Sequence, residues 1–182
     1  LKPVKENSLI FNPSTPHAIS KLSFEHLLMA YQKNFDNKII ITRFSNFYGR
    51  GQLEDRLIPK VLKCIKNNLK FPIHGKGLTK RDFIFDEDFN DAFYKVLKRG
   101  KTGKIYHFST NYYVSIKNII EILCKSKNVK YKDFIYNTLD RKGKDKYYFL
   151  DCSKTSKELK WKPKNKLVQG LNKTIKYYDK EL

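Results

Sequence analysis

Residues 38–49, KIIITRFSNFYG, hold the transition on which the fold turns. The first seven, KIIITRF, form an unbroken β-branched and aromatic run. Such a run suits a strand buried on both faces of a parallel sheet better than a strand with one wet face. The chain then becomes polar and glycine-bearing through SNFYGRGQLEDR. Upstream, residues 16–35 read as a helix entered through Ser14-Thr15-Pro16, with Thr15 as its cap and Leu22, Leu27, Leu28 and Tyr31 at helical spacing. Downstream, residues 57–69 form a second helix with Pro59 in its first turn and Ile58, Val61, Leu62, Ile65 and Leu69 on one face. DFIF (82–85) is a short strand, and Asp88 is placed to cap a helix running to Lys98. KIYHFS (104–109) is a further strand, and Ser115 caps the helix carrying Ile116, Ile119, Ile120 and Leu123. Helices near 153–160 and 167–179 complete the pattern. Strands alternating with helices predict an α/β fold with parallel strands.

The 182 residues are 40% hydrophobic and 14% aromatic, enough for one core of domain size. No apolar run approaches the ~18 residues of a membrane span. The opening LKPVKENSLIFNPSTP has no apolar signal core and does not begin with Met, so a cytoplasmic location is the default expectation. Cys64, Cys124 and Cys152 are scattered without metal-binding spacing and read as reduced, structural thiols. The net charge of +20 points to anionic partners: nucleic acid, an anionic membrane surface or phosphorylated substrates. Only six of the 38 basic residues are Arg, and the lysines cover the whole length. Base readers favour Arg forks, so this even coat reads as a solvated surface. A nucleic-acid or polyanion-binding module is the alternative from another class.

Several short motifs then fall in one order: PHAISK (16–21), RFSNFYG (43–49), LIPK (57–60), PIHGKG (72–77), RDFIFDED (81–88) and DRKGKDKYYFLDCSKTSKELKWKP (140–163). Together they resemble the extended short-chain dehydrogenase/reductases, the NAD-dependent epimerase/dehydratase family. The 140–163 block is most similar to its sugar-nucleotide 4,6-dehydratases that act on dTDP-glucose; a sugar-nucleotide epimerase of the same family is the alternative. The resemblance implies the C-terminal part of a Rossmann-like NAD(P)-binding fold plus a small mixed substrate-binding lobe. It implies one incomplete domain, with residues 14–50 and 81–110 as Rossmann elements and 51–80 and 111–182 mainly in the lobe. The family's Gly-rich nucleotide loop and its dehydrating Asp–Glu pair find no counterpart in these 182 residues, and no Gly-x-Gly-x-x-Gly occurs. The expectation is a half-enzyme, inactive alone, that pairs as a homodimer or with a missing N-terminal half.

The resemblance also assigns residues. Lys21 matches the lysine that holds the nicotinamide ribose of NAD and lowers the pKa of the family's catalytic tyrosine. His17 stands in that tyrosine's place. A neutral imidazole can accept a proton, yet it is shorter than a phenol, and a ~1 Å misplacement costs on the order of a hundredfold. His17 is therefore read as an altered catalytic position. Asn46 matches a substrate contact, and Phe47 stands at an NAD contact where it can offer only its backbone. Arg81 matches the arginine that grips the substrate diphosphate, and Arg141 with Asp145 matches a second nucleotide clamp. Arg56, Leu57, Pro72, Ile73, His74 and Ser115 match the pocket wall, His74 replacing a tyrosine. The acidic run Asp86, Glu87, Asp88 is not expected to hold a metal, because adjacent carboxylates at a strand end diverge; Asp86 and Glu87 are read as solvated.

Overall fold

The computed structural model describes residues 3–8, 12–140, 143 and 148–181. Its elements run α1 (Pro16–Phe35), β1 (Ile41–Phe44), β2 (Asn46–Tyr48), α2 (Leu57–Lys66), β3 (Phe71–His74), β4 (Lys80–Phe85), α3 (Asp86–Arg99), β5 (Ile105–Phe108), β6 (Tyr113–Ser115), α4 (Ile116–Ser126), α5 (Tyr131–Phe134), β7 (Ile135–Thr138), α6 (Ser153–Leu159) and α7 (Leu167–Glu181). β1 pairs in parallel with β5, β2 with β4, and β3 with β7, while β6 returns antiparallel along β4. The architecture is α/β, as the alternation predicts.

The strand expected over 38–44 is shorter, Ile41–Phe44, and half-buried rather than enclosed on both faces. The stretch after it, expected to be irregular, opens with a second strand. Ser45 divides the two: β1 lies beside β5, and beyond Ser45 the chain joins β4 as β2. The Ser45 amide still donates to Phe108 O at 2.9 Å, so the divergence starts at that residue. Two cores form on either side of the split. The larger gathers Tyr48, Ile58, Val61, Ile73, Phe85, Ile119, Ile120 and Leu171 from α2, α4, α7 and the strands they cover. The smaller gathers Ile84, Ala92, Val96, Tyr106, Phe108, Leu159 and Trp161.

Three local expectations change. Asp88 does not cap α3: that helix begins at Asp86, and the buried Asp88 carboxylate accepts the amides of Lys164 and Asn165 at 2.8 and 3.0 Å. Trp161 donates its indole N–H to Asp88 O at 3.1 Å, so Asp88 fastens the segment before α7 to α3. Asp86 and Glu87 are paired rather than merely solvated. Asp86 meets Arg50 at 2.9 Å, and Glu87 meets Lys173 at 2.7 Å. α2 ends at Lys66, short of Leu69, because Asn68 turns left-handed (φ 53°) and sends Leu69 to the surface.

Thr15 does cap α1, accepting the Ala18 amide at 3.1 Å. Yet α1 buries no residue completely, and Ile19, Phe24, Leu27, Tyr31 and Phe35 remain exposed. α7, by contrast, lies tightly on the larger core. A Cβ at Gly170 would overlap the Tyr48 hydroxyl and sit 2.9 Å from the Phe85 ring. Gly170→Ala should therefore overpack the core and lower the unfolding free energy by ~1–3 kcal/mol in a denaturant titration; an unchanged midpoint would show that α7 can lift away freely.

Candidate functional site

The residues assigned to the pocket wall come from separate stretches, and the fold brings four of them together. Leu57, at the start of α2, and Pro72, Ile73 and His74, along β3, line one cavity of about 250 Å³ with Asp55, Lys60, Phe71 and Ile116. Leu57 is there because α2 turns its apolar face to the larger core. β3 alternates buried and half-buried positions, so Ile73 anchors in that core while Pro72 and His74 face outward. The His74 Nδ1 lies 2.9 Å from Leu139 O and 2.7 Å from Thr138 Oγ1. A carbonyl only accepts, so Nδ1 carries the proton and the ring is fixed against β7. Asp55, Lys60 and Ile116 were not singled out from the sequence. Lys60, the last letter of LIPK, was the one legible signal, lying one helical turn from Leu57.

Asn46 and Arg81 sit on neighbouring strands. β2 pairs with β4 in the register Asn46 to Phe83, and Asn46 Nδ2 donates to Asp82 O at 3.2 Å. Arg81 is half-buried on β4, opposite Val114 of β6, and one guanidinium nitrogen donates to Lys80 O at 2.8 Å. Phe47 is half-exposed, its ring 4.9 Å from that of Phe89. Arg56 is exposed immediately before α2, its amide donating to Leu53 O at 3.0 Å. The Ser115 hydroxyl accepts the Asn118 amide at 3.1 Å and so serves as the cap of α4. Arg141 and Asp145 lie outside the described residues.

His17 and Lys21 occupy the first two turns of α1 and are exposed. One turn beyond Lys21, Glu25 accepts from Arg43 of β1, with Nε 3.0 Å from both carboxylate oxygens. Arg43 also reaches His107 of β5, 3.2 Å from its Nε2. An Arg nitrogen only donates, so Nε2 accepts and Nδ1 carries the proton toward Val4 O at 3.2 Å. This chain of contacts ties the helix bearing Lys21 to the β1–β5 pair and to the N-terminal segment. Sequence reading missed it, since Glu25, Arg43 and His107 are far apart along the chain.

The three thiols are free. Burial pushes Cys124 up to about 11 and Cys152 up to about 12, so neither is an activated nucleophile. Among the described residues, no helix is long and apolar enough to cross a membrane.

A motif order, an α/β fold and a lined cavity together define a family. The model of the NAD dependent epimerase/dehydratase family matches residues 2–109, and the chain belongs to that family. The dTDP-glucose 4,6-dehydratase of Haemophilus influenzae is 34% identical over 178 residues, 92% of this chain and 53% of that protein. The human dTDP-D-glucose 4,6-dehydratase is 33% identical over 171 residues, 91% of this chain and 49% of its own length. The dTDP-glucose 4,6-dehydratase of Streptomyces venezuelae, solved with NAD bound, aligns with TM-score 0.93 and 28% identity over 99% of this chain and 55% of that one. A Bacillus cereus UDP-glucuronic acid 4-epimerase, in complex with UDP-glucuronic acid and NAD, aligns with TM-score 0.89 and 27% identity over all of this chain and 58% of that one. The chain spans about half the length of the curated relatives it matches.

The network behind α1 gives a pH prediction. Burial lowers the pKa of His107, Arg43 adds to the effect, and Glu6 opposes it. The unfolded chain takes up this proton near pH ~6.5, the folded chain only at lower pH. The contribution of neutral His107 is complete above ~6.5 and is lost as pH falls through that range. The thermal midpoint should therefore drop between pH 7.5 and 5.5, and His107→Gln should flatten the drop; an equal slope in both proteins would contradict this.

Proposed function

We propose that this chain supplies the nucleotide-sugar-binding part of an NAD-dependent sugar-nucleotide 4,6-dehydratase that acts on a nucleoside diphosphate sugar of the dTDP-glucose type. The observation that carries the reading is the cavity lined by Leu57, Pro72, Ile73 and His74, positions that the motif order assigns to one ligand wall. The dehydratase relatives support that chemistry over epimerisation. Two of the strand pairings support a division into two parts, while β6 joins them by pairing with β4. β1 and β5, from 14–50 and 81–110, pair with each other, and β3 and β7, from 51–80 and 111–182, do likewise. α6 and Trp161 join the core of the first part.

Within this reading, Arg81 holds the diphosphate, since a guanidinium fork suits phosphate oxygens. Asn46 orients the sugar, and the cavity takes the nucleobase. Toward NAD, which when bound accepts a hydride from the sugar, the chain offers the exposed Lys21 ammonium and the backbone at Phe47. Lys21 suits the nicotinamide-ribose end, while the Phe47 carbonyl already accepts from Gln52 Nε2 at 2.9 Å. His17 stands where the family's tyrosine takes the sugar hydroxyl proton, and its shorter imidazole makes this an altered catalytic position. We assign the chain to the cytoplasm, where its three free thiols stay reduced. The exposed apolar residues of α1 support a further protein surface as partner, a second copy or the remainder of a longer protein.

Calorimetric titration with dTDP tests the reading. A charge-assisted phosphate contact is worth ~1.5–3 kcal/mol, so Arg81→Ala should weaken binding by roughly ten- to a hundredfold. Arg50→Ala should change it little, because Arg50 is engaged by Asp86. Equal losses from both would mean diffuse electrostatics. Light scattering addresses the partner: Leu27→Asp on α1 should lower the apparent mass from dimer toward monomer, whereas a wild-type monomer at micromolar concentration would contradict self-association.

A further inference from the structure

Asp82 is only 1% exposed, and its carboxylate faces the connection after β5 rather than the assigned ligand residues. Its carboxylate accepts the Thr110 amide at 2.7 Å and both the Ser109 and Thr110 hydroxyls. These donors lie in the connection between β5 and β6, where Asn111 adopts φ 58°, a conformation that non-glycine residues enter sparingly. Asp82 therefore pins a tight turn that carries the chain from one parallel strand into the antiparallel β6.

That turn governs the site from three directions. Side chains alternate along a strand, so Asp82 points away from the face that presents Arg81, and anchoring one fixes the other. The Asp82 carbonyl receives the Asn46 side-chain amide at 3.2 Å. The turn also delivers β6 alongside β4, with Val114 opposite Arg81 and Ser115 opposite Lys80.

We infer that Asp82 is a positioning residue: by clamping the turn at Ser109 and Thr110, it sets the placement of Arg81 and Asn46 toward a nucleoside diphosphate. The inference rests on the nucleotide-sugar reading above and deepens it. Burying a carboxylate is costly unless its oxygens are satisfied, and three donors meet it here. Asp82→Asn preserves shape but removes the charge and replaces one acceptor oxygen with a donor, so the three donors no longer all meet a carboxylate and the clamp weakens. Thr110→Val removes one donor and leaves Asp82 in place.

The test compares dTDP with thymidine on the 182-residue chain. In Asp82→Asn, dTDP affinity should fall by about tenfold or more, toward that of thymidine, while thymidine affinity stays nearly constant. Thr110→Val should reproduce the pattern more weakly and serves if Asp82→Asn does not fold. In ligand-free protein, the Arg81 Nε–H and Asn46 side-chain amide resonances should shift or broaden in both variants. Equal losses for dTDP and thymidine, with those resonances unmoved, would overturn the inference and leave Asp82 as general scaffolding. Wild-type protein that binds dTDP no better than thymidine would sink the nucleotide-sugar reading instead, and the ligand-free resonances would still decide the role of Asp82.

Discussion

The structure depends on one backbone event, the change of partner at Ser45. Up to Phe44 the strand is committed to β5; from Asn46 it is committed to β4. A strand that changes partner must open a wedge between the two neighbours it leaves and joins. In α/β sheets that wedge, at the carboxyl ends of the strands, is where ligands bind. Here it separates Phe44, packed against the smaller core, from Tyr48, buried in the larger. Asn46 emerges within it, and Asp82 closes it from the β4 side. The neighbouring turn at Ser109 and Thr110 ties back to Asp82 through the hydroxyls of both residues and the Thr110 amide.

Much of this was legible along the chain. The β-branched run marked a strand, although only Ile41–Phe44 of it pairs and those residues are half-buried rather than enclosed on both faces. α2, α4 and α7 repeat apolar residues at a spacing that needs no partner to recognise. The start of α1 was equally clear, because a Ser-Thr-Pro entry has a local cause. What escaped notice was nonlocal. β2, β6 and β7 are three or four residues long, too short for a period of two to stand out, and they exist because β4 and β3 lie beside them. Asp88 looked like a helix cap because an acid near a helix start has that meaning locally. Its true partners, the amides of Lys164 and Asn165, are brought to it by the fold.

The site divides along the same line. Motif order named Leu57, Pro72, Ile73 and His74, and three-dimensional closure put them around one cavity. Asp55 and Ile116 could not be named in advance, since neither carries a signature outside that closure. Nor could the Glu25–Arg43–His107 contacts, which hold an otherwise shallowly packed α1 against β1 and β5. The large positive charge, the loudest bulk signal, proves less informative than these few groups. Lys95, Lys164 and Lys173 are matched to acids on α3.

The account stands or falls on where a nucleoside diphosphate binds. Methyl-labelled protein titrated with dTDP-glucose, and separately with random-sequence DNA, reads this directly by NMR. The account predicts saturable shifts at the methyls of Leu57, Ile73 and Ile116 with dTDP-glucose, persisting at high salt, while DNA leaves those methyls unmoved. Shifts scattered over lysine-rich surfaces, abolished by salt and shared by both ligands, would contradict it.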